Sequence, residues 1–265
     1  MLPAPHLLLT DVVALARAAG ERILEVYAGD FAVTRKEDRS PLTEADLRAH
    51  RLIAEGLARL TPDVPVISEE APVPPLAVRR RWEWLWLVDP LDGTREFVER
   101  SGEFTVNVAL VHGTRPVLGV IHVPVRGVDY YACAGQGAFR QERGGSAHRI
   151  EARATLASPP HVVGSRSHRG DRLLPFLERL GPHEFHPCGS AYKFGLVADG
   201  TMDLYPRVGP TSEWDTAAGQ AIAECAGARV VGRDGRPLEY NARETLVNPD
   251  FVCAASAAQP WHEWL

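Results

Sequence analysis

The chain has 265 residues, 45% of them hydrophobic and 24% charged, and carries a formal net charge of −5. That length buries a sizeable core as one large domain or two coupled lobes. The acidic balance argues against generic binding to a nucleic acid polymer or an anionic membrane, both of which need a basic face.

A nucleotide substrate stays open, because bound cations reverse the local sign of the potential. No apolar run approaches transmembrane length. Asp11 interrupts the apolar N-terminal stretch, which argues against a signal peptide. Cys133, Cys188, Cys225 and Cys253 are widely spaced with no C-x-x-C, the pattern of reduced, mostly buried thiols in a cytoplasmic protein. Loose association at the inner membrane is left open, as is the choice between monomer and homodimer.

Residues 8–28 carry Val12, Val13, Leu15, Ala16, Ala19, Ile23, Leu24 and Val26 at helical spacing and predict an amphipathic helix. Residues 31–38 read as a strand. Thr43 opens a second helix to about Leu60, with Thr43-x-x-Asp46 as a capping box. Residues 64–68 form a short buried strand ending in Glu69-Glu70, and the proline- and arginine-rich stretch 71–81 reads as a surface loop. An apolar run from Trp84 to Val88 then stops at Asp89-Pro90-Leu91-Asp92-Gly93-Thr94, two acids around a proline followed by a tight turn that can open a helix.

Three strand-like runs follow, at 104–111, 116–125 and 128–139, punctuated by Gly113 and Gly127 as antiparallel neighbours are. Further strands are expected at 161–164, 202–205 and 246–255, and helices near 170–180, 190–198 and 213–226. This order suggests a layered α/β or α+β protein. An N-terminal lobe (1–150) would carry most of the acids, and a C-terminal lobe (151–265) would complete one integrated unit.

Four acid-bearing places stand out: Asp46, Glu69-Glu70, Asp89 with Asp92, and Asp215. Each has an ordinary structural explanation: a cap for Asp46 and for Asp215 (Ser212-x-x-Asp215), turn formation for Asp89 and Asp92, a solvated strand end for the glutamates. The combination points further. Glu69 and Asp89 both terminate buried strands, where a charge is costly unless paired or bound to metal. Carboxylates, a backbone carbonyl and water are the ligands Mg2+ takes, and paired divalent ions stabilise both oxygens of an in-line displacement. N–H groups at a helix start suit a phosphate.

The ordered motifs Lys36-x-Asp38-x-Ser40-Pro41-x-Thr43-x-Ala45-Asp46, Ser68-Glu69-Glu70, Trp86 to Phe97 and Gly102 to Asn107 continue through Ser165 to His168, Gly189 to Lys193 and Tyr205 to Gly219. With them the chain resembles the magnesium-dependent, lithium-sensitive phosphatase superfamily of inositol monophosphatase, over about residues 8 to 254. Within it the resemblance is nearest to the bacterial bisphosphate nucleotidases of sulfur metabolism.

That resemblance implies an α+β fold, the layered αβαβα sandwich of sugar phosphatases. It implies two Mg2+ ions, or three. Glu69, Asp89 and the Leu91 carbonyl would hold one, and Asp89, Asp92 and Asp215 the second; a third, weaker ion would sit on Glu69 through water. The phosphate would rest around Gly93 and Thr94, and Thr94, hydrogen-bonded to Asp46, would help take the proton of the attacking water.

Counting from Asp203-Leu204-Tyr205, the place where inositol monophosphatases carry an acid for sugar hydroxyls holds Arg207. A guanidinium there suits a second phosphate. Lys193, Ser190 and His168 are expected to assist. The implied reaction is loss of the 3'-phosphate of adenosine 3',5'-bisphosphate to give AMP, with the sulfated form as a second substrate and an inositol-1-phosphate or other sugar phosphatase as the alternative. A non-catalytic regulator has no need of the full acid set.

Glu213, before Trp214-Asp215, departs from the usual uncharged residue; it is expected either at the surface or near the second metal. Three other signals are discounted. His183, His186 and Cys188 lie close together but lack a partner cluster for zinc. Gly135-x-Gly137 lacks the third glycine of a dinucleotide fingerprint. Arg79-Arg80-Arg81 reads as a solvated loop.

Overall fold

The computed structural model describes residues 3–35, 41–165, 171–256 and 259–265. In chain order its first elements are α1 (Pro5–Tyr27), β1 (Val33–Arg35), β2 (Pro41–Thr43), α2 (Glu44–Leu60), β3 (Val66–Ser68), α3 (Leu76–Arg79), β4 (Trp84–Asp92) and α4 (Thr94–Val98). A run of strands follows: β5 (Thr105–His112), β6 (Arg115–Val123), β7 (Val128–Cys133), β8 (Gly137–Glu142), β9 (His148–Ile150) and β10 (His161–Gly164). The chain continues through α5 (Leu174–Leu180), β11 (Glu184–Pro187), α6 (Tyr192–Ala198), β12 (Leu204–Arg207), α7 (Glu213–Cys225), β13 (Arg229–Gly232) and β14 (Phe251–Ala254).

The main strands form two sheets. The seven-stranded sheet runs β3-β4-β5-β6-β7-β8-β9, parallel only between β3 and β4. The five-stranded sheet runs β11-β10-β12-β14-β13.

The two-residue period of a strand sorts side chains between layers. On β4, Trp86 and Val88 join the core under α1 and α2, whereas Leu85 and Leu87 face the opposite core. That second core contains α6 and α7 and also takes Val163, Tyr205, Phe251 and Cys253 from the five-stranded sheet. The alternate residues Val162, Leu204, Val252 and Ala254 turn outward against Phe176 of α5 and Trp261. The result is five layers, helix–sheet–helix–sheet–helix, with α7 buried in the middle one. This is the αβαβα sandwich the resemblance implies.

Some local expectations need correction. The run 128–139 is two strands, because a turn at 134–136 that contains Gly135 (φ +79°) breaks it and Gly137 (φ +91°) starts the second. The stretch 71–81 contains α3, and Arg79 is fully buried instead of solvated. Its guanidinium donates to Pro74 O, Asn241 Oδ1 and the carbonyls of Arg243 and Glu244. A forked, rigid donor set is what a cluster of loop carbonyls needs. Arg80 and Arg81 do stay exposed.

Candidate active site

The site begins where β4 stops being a regular strand. Asp89 pairs with Asn107 of β5, but Asp92 pairs with Thr105, so β4 carries one extra residue in the bulge between its two acids. A bulge re-aims side chains at the end of a strand, and here both carboxylates belong to that re-aimed segment. Asp89 Oδ1 accepts from the Leu91 N–H at 3.1 Å, which closes the proline turn. Gly93 follows at φ +90° as the N-cap of α4. A residue with a Cβ is strained at that angle, so glycine lets the chain pass from bulge to helix in a single residue.

Asp46 reaches the same place from α2. It completes the capping box, its Oδ2 accepting from Thr43 N–H at 2.8 Å and Thr43 Oγ1 at 2.6 Å. Its Oδ1 accepts from Thr94 Oγ1 at 3.3 Å. One carboxylate therefore caps a helix with one oxygen and meets Thr94 with the other. Asp215 is built alike: its Oδ2 accepts from the Ser212 N–H at 2.8 Å at the start of α7. The capping and functional explanations weighed against each other in the sequence are compatible.

Asp92 is held from three sides. Its Oδ2 accepts from Thr105 Oγ1 at 3.4 Å, Asn107 Nδ2 at 3.3 Å and the Ala191 N–H. The last bond joins the 188–191 loop to β4, and Gly189 N–H donates to Glu103 Oε2 at 2.9 Å to hold the same loop. Thr105, Asn107 and Ala191 were not singled out as site residues. The first two lie inside the quoted Gly102-to-Asn107 motif and Ala191 inside the Gly189-to-Lys193 motif, which were the signals available.

The electrostatics identify what this arrangement lacks. Burial raises the Asp89 carboxyl well above the ordinary range, and the neighbouring negative charges of Glu69, Asp92 and Asp215 raise it further. Asp215 is raised for the same reasons, burial first and then Asp92 and Glu69, with the Ser212 bond and Arg207 opposing. Asp92 is raised by burial, and Lys193, the Ala191 N–H and Asn107 oppose the rise. Carboxylates from β4, α7 and the end of β3 are thus gathered with less positive charge than they need. The donor set fits hard divalent cations, which bind oxygen.

A cleft of about 520 Å3 opens over this cluster, lined by Asp92, Gly93, Thr94, Ser190, Lys193, Arg207 and Asp215 together with Pro41, Ser165, Tyr205 and Thr211. Glu69, Asp89, Asp46 and Leu91 are not part of that lining, and His168 falls outside the described residues. Lys193 is buried; its Nζ donates to Cys188 O at 3.3 Å and to Ser190 O, and lies 5.1 Å from the centre of the Tyr205 ring. Arg207 gives Nη2 to Pro210 O at 2.9 Å, while its Nε is buried without a hydrogen-bond partner among the described residues.

Glu213 is fully buried, so its expected surface position does not hold. Its Oε2 accepts from the Asn241 N–H at 2.6 Å and burial pushes its carboxyl up to about 7. Asn241 in turn holds Arg79, so Glu213 ties the first turn of α7 to a buried loop and not to the cleft.

The Inositol monophosphatase family model matches residues 6–264. The 3'(2'),5'-bisphosphate nucleotidase CysQ of Salmonella typhimurium is 52% identical over 246 residues, covering 92% of this chain and 98% of that protein. CysQ of Aggregatibacter actinomycetemcomitans is 42% identical, covering 96% and 95%. Among solved structures, CysQ from Bacteroides thetaiotaomicron aligns with TM-score 0.80 at 41% identity, covering 92% of this chain and 96% of that one. The inositol monophosphatase of Thermotoga maritima aligns with TM-score 0.75 at 26% identity, covering 92% and 90%.

Proposed function

The chain belongs to the inositol monophosphatase family, and from that premise we propose that it is a Mg2+-dependent 3'(2'),5'-bisphosphate nucleotidase. It removes the 3'-phosphate of adenosine 3',5'-bisphosphate to give AMP and accepts the sulfated form as a second substrate. One observation carries the choice within the family. Arg207, with an unspent buried donor, lines the same cleft as Asp92, Gly93, Thr94 and Asp215. A second phosphate on the substrate gives that guanidinium a partner through charge-assisted bonds. The strong similarity to proteins named as bisphosphate nucleotidases supports the same reading.

Glu69, Asp89, Asp92, Asp215 and the Leu91 carbonyl would hold the divalent ions, two or three in number. Those ions supply charge neutralisation for the transferring phosphoryl group and make water more acidic. The protein's own groups do the positioning. The scissile phosphate rests at the start of α4, against the N–H groups around Gly93 and Thr94. Thr94 donates its hydroxyl proton to Asp46, which leaves its oxygen lone pairs to accept a proton from the attacking water. Asp46 can serve because its other oxygen is fixed by the α2 cap. Lys193 offsets the charge on Asp92 and staples the 188–190 carbonyls. Ser190 and Arg207 remain at the cleft wall for the distal part of the substrate, with His168 assigned to the same role from the sequence.

Phosphate release measured with Mg2+ on adenosine 3',5'-bisphosphate, inositol 1-phosphate and fructose 1,6-bisphosphate tests this. The nucleotide bisphosphate is expected to show the highest kcat/KM. Equal or faster turnover of inositol 1-phosphate overturns the assignment in favour of a sugar phosphatase.

A further inference from the structure

The discounted histidine cluster resolves differently in three dimensions. His183 Nδ1 is engaged with Gly181 O at 2.7 Å, and Cys188 lies at the cleft end of its strand. His186, however, meets residues that sequence proximity did not suggest. Strands β10 and β11 pair in parallel with His161 opposite Glu184 and Val163 opposite His186. The two-residue period puts Glu184 and His186 on one face of β11, and the register puts His161 on that face of β10.

His161 Nε2 lies 3.4 Å from Glu184 Oε2, and His186 Nε2 lies 3.8 Å from the same oxygen. One ligand atom from each residue falls within 4.8 Å of the others. Although the His186 side chain is 41% exposed, its Nε2 is buried and has no hydrogen-bond partner among the described residues. That nitrogen points into the cluster, and 3.8 Å is too long for a hydrogen bond to Glu184.

We infer that His161, Glu184 and His186 form a second metal site, selective for a borderline transition-metal dication of the Zn2+ class and separate from the Mg2+-binding carboxylates. Two imidazoles and one carboxylate are the ligands such ions take, whereas Mg2+ prefers all-oxygen surroundings. Ligand atoms about 2.0–2.1 Å from zinc in a tetrahedron stand about 3.3 Å apart. The His161–Glu184 separation already meets that spacing, and half-exposed side chains close the rest by rotating. The partial exposure leaves a coordination position to water.

His161 and Glu184 open β10 and β11, and His186 lies two residues further along β11, one residue before its end. The cleft is reached past their C-terminal ends, through Ser165 on one strand and the 188–191 loop on the other. Along the strands that is roughly 13 Å from His161 to Ser165 and roughly 7 Å from His186 to Cys188. Being on edge strand β11 and its neighbour, a bound ion would cross-link the two strands.

Calorimetric titration of the full chain with Zn2+, in saturating Mg2+ to occupy the carboxylate cleft, tests the inference. It is expected to show one Zn2+ per chain. The affinity should fall at least tenfold in His161→Gln and in His186→Gln, while Mg2+-dependent phosphate release measured without Zn2+ stays unchanged. Co2+ should give a ligand-field absorption band that both variants lose. Far-ultraviolet circular dichroism confirms that the variants are folded. Zn2+ binding of wild-type strength in both variants, or no Zn2+ binding once Mg2+ saturates the cleft, overturns the site. Because the readout is metal binding, failure here is distinct from failure of the nucleotidase reading.

Discussion

Asp92 is fixed in place by three donors to its Oδ2, from Thr105, Asn107 and the Ala191 N–H. Asp92→Asn keeps the volume and removes a charge. It should lower phosphate release at least about 100-fold, the scale of losing one preorganised electrostatic group. The fold should be retained, since an amide oxygen can still accept those bonds; undiminished turnover would remove the proposed metal role. Arg207 separates substrate from chemistry. Arg207→Glu should lower kcat/KM for the nucleotide bisphosphate about 10- to 100-fold, the worth of a charge-assisted bond. A nucleoside 3'-monophosphate, which lacks the second phosphate, should lose much less. Equal losses for both substrates would show that Arg207 acts on the acid cluster through its field on Asp215 and not by holding the second phosphate.

At the scale of elements, the placement of α7 decides where Asp215 stands. Gly119 on β6 makes this possible: a Cβ there would lie 2.4 Å from the Ala218 carbonyl oxygen, a backbone atom that can yield only if α7 moves. Gly119→Ala should cost about 1–3 kcal/mol, as overpacking does, and lower kcat by pushing Asp215 out of place. Thermal melts and phosphate release measured together check this, and loss of stability with unchanged kcat would separate packing from catalysis. What could be read ahead follows the same division between local and long-range causes. The α2 capping box was legible because Thr43 and Asp46 are three residues apart and make the motif by themselves. Strands β9, β11 and β13 were not read, and all three are edge strands of three or four residues. Such strands form because a neighbour offers a ladder, which no pattern in Glu184-Phe-His-Pro announces. The Asp89-to-Thr94 motif was legible as a strand that ends in acids and turns into a helix start. The bulge register that hands Asp92 to Thr105 and Asn107 was not, since it exists only between two strands.

For the whole molecule, the acids come from layers that hydrophobic packing joins. Asp89 precedes the bulge in β4 of the seven-stranded sheet and Asp215 lies in the first turn of α7 in the middle layer, while one core runs from that sheet through α6 and α7 to the five-stranded sheet. Ions shared between Asp89 and Asp215 would therefore clamp the protein across its layers, and the clamp should be linked to pH. Asp89 and Asp215 have raised carboxyls without metal. Between the ordinary unfolded value, 3.8, and the raised folded one, the folded state binds more protons than the unfolded state. Stability of the metal-free protein must then fall as pH rises through that window and stay low above it. Mg2+ competes with those protons and, by binding the folded state, restores stability in proportion to its apparent affinity. The rise in Tm between excess EDTA and millimolar Mg2+ should accordingly be small at about pH 5 and several degrees larger at about pH 8. Asp215→Asn should flatten that dependence, because it removes one of the two raised groups and one arm of the clamp. An Mg2+-induced rise that is the same at both pH values, or that survives intact in Asp215→Asn, would mean that the ions stabilise β4 alone and that the layers are joined by packing without them.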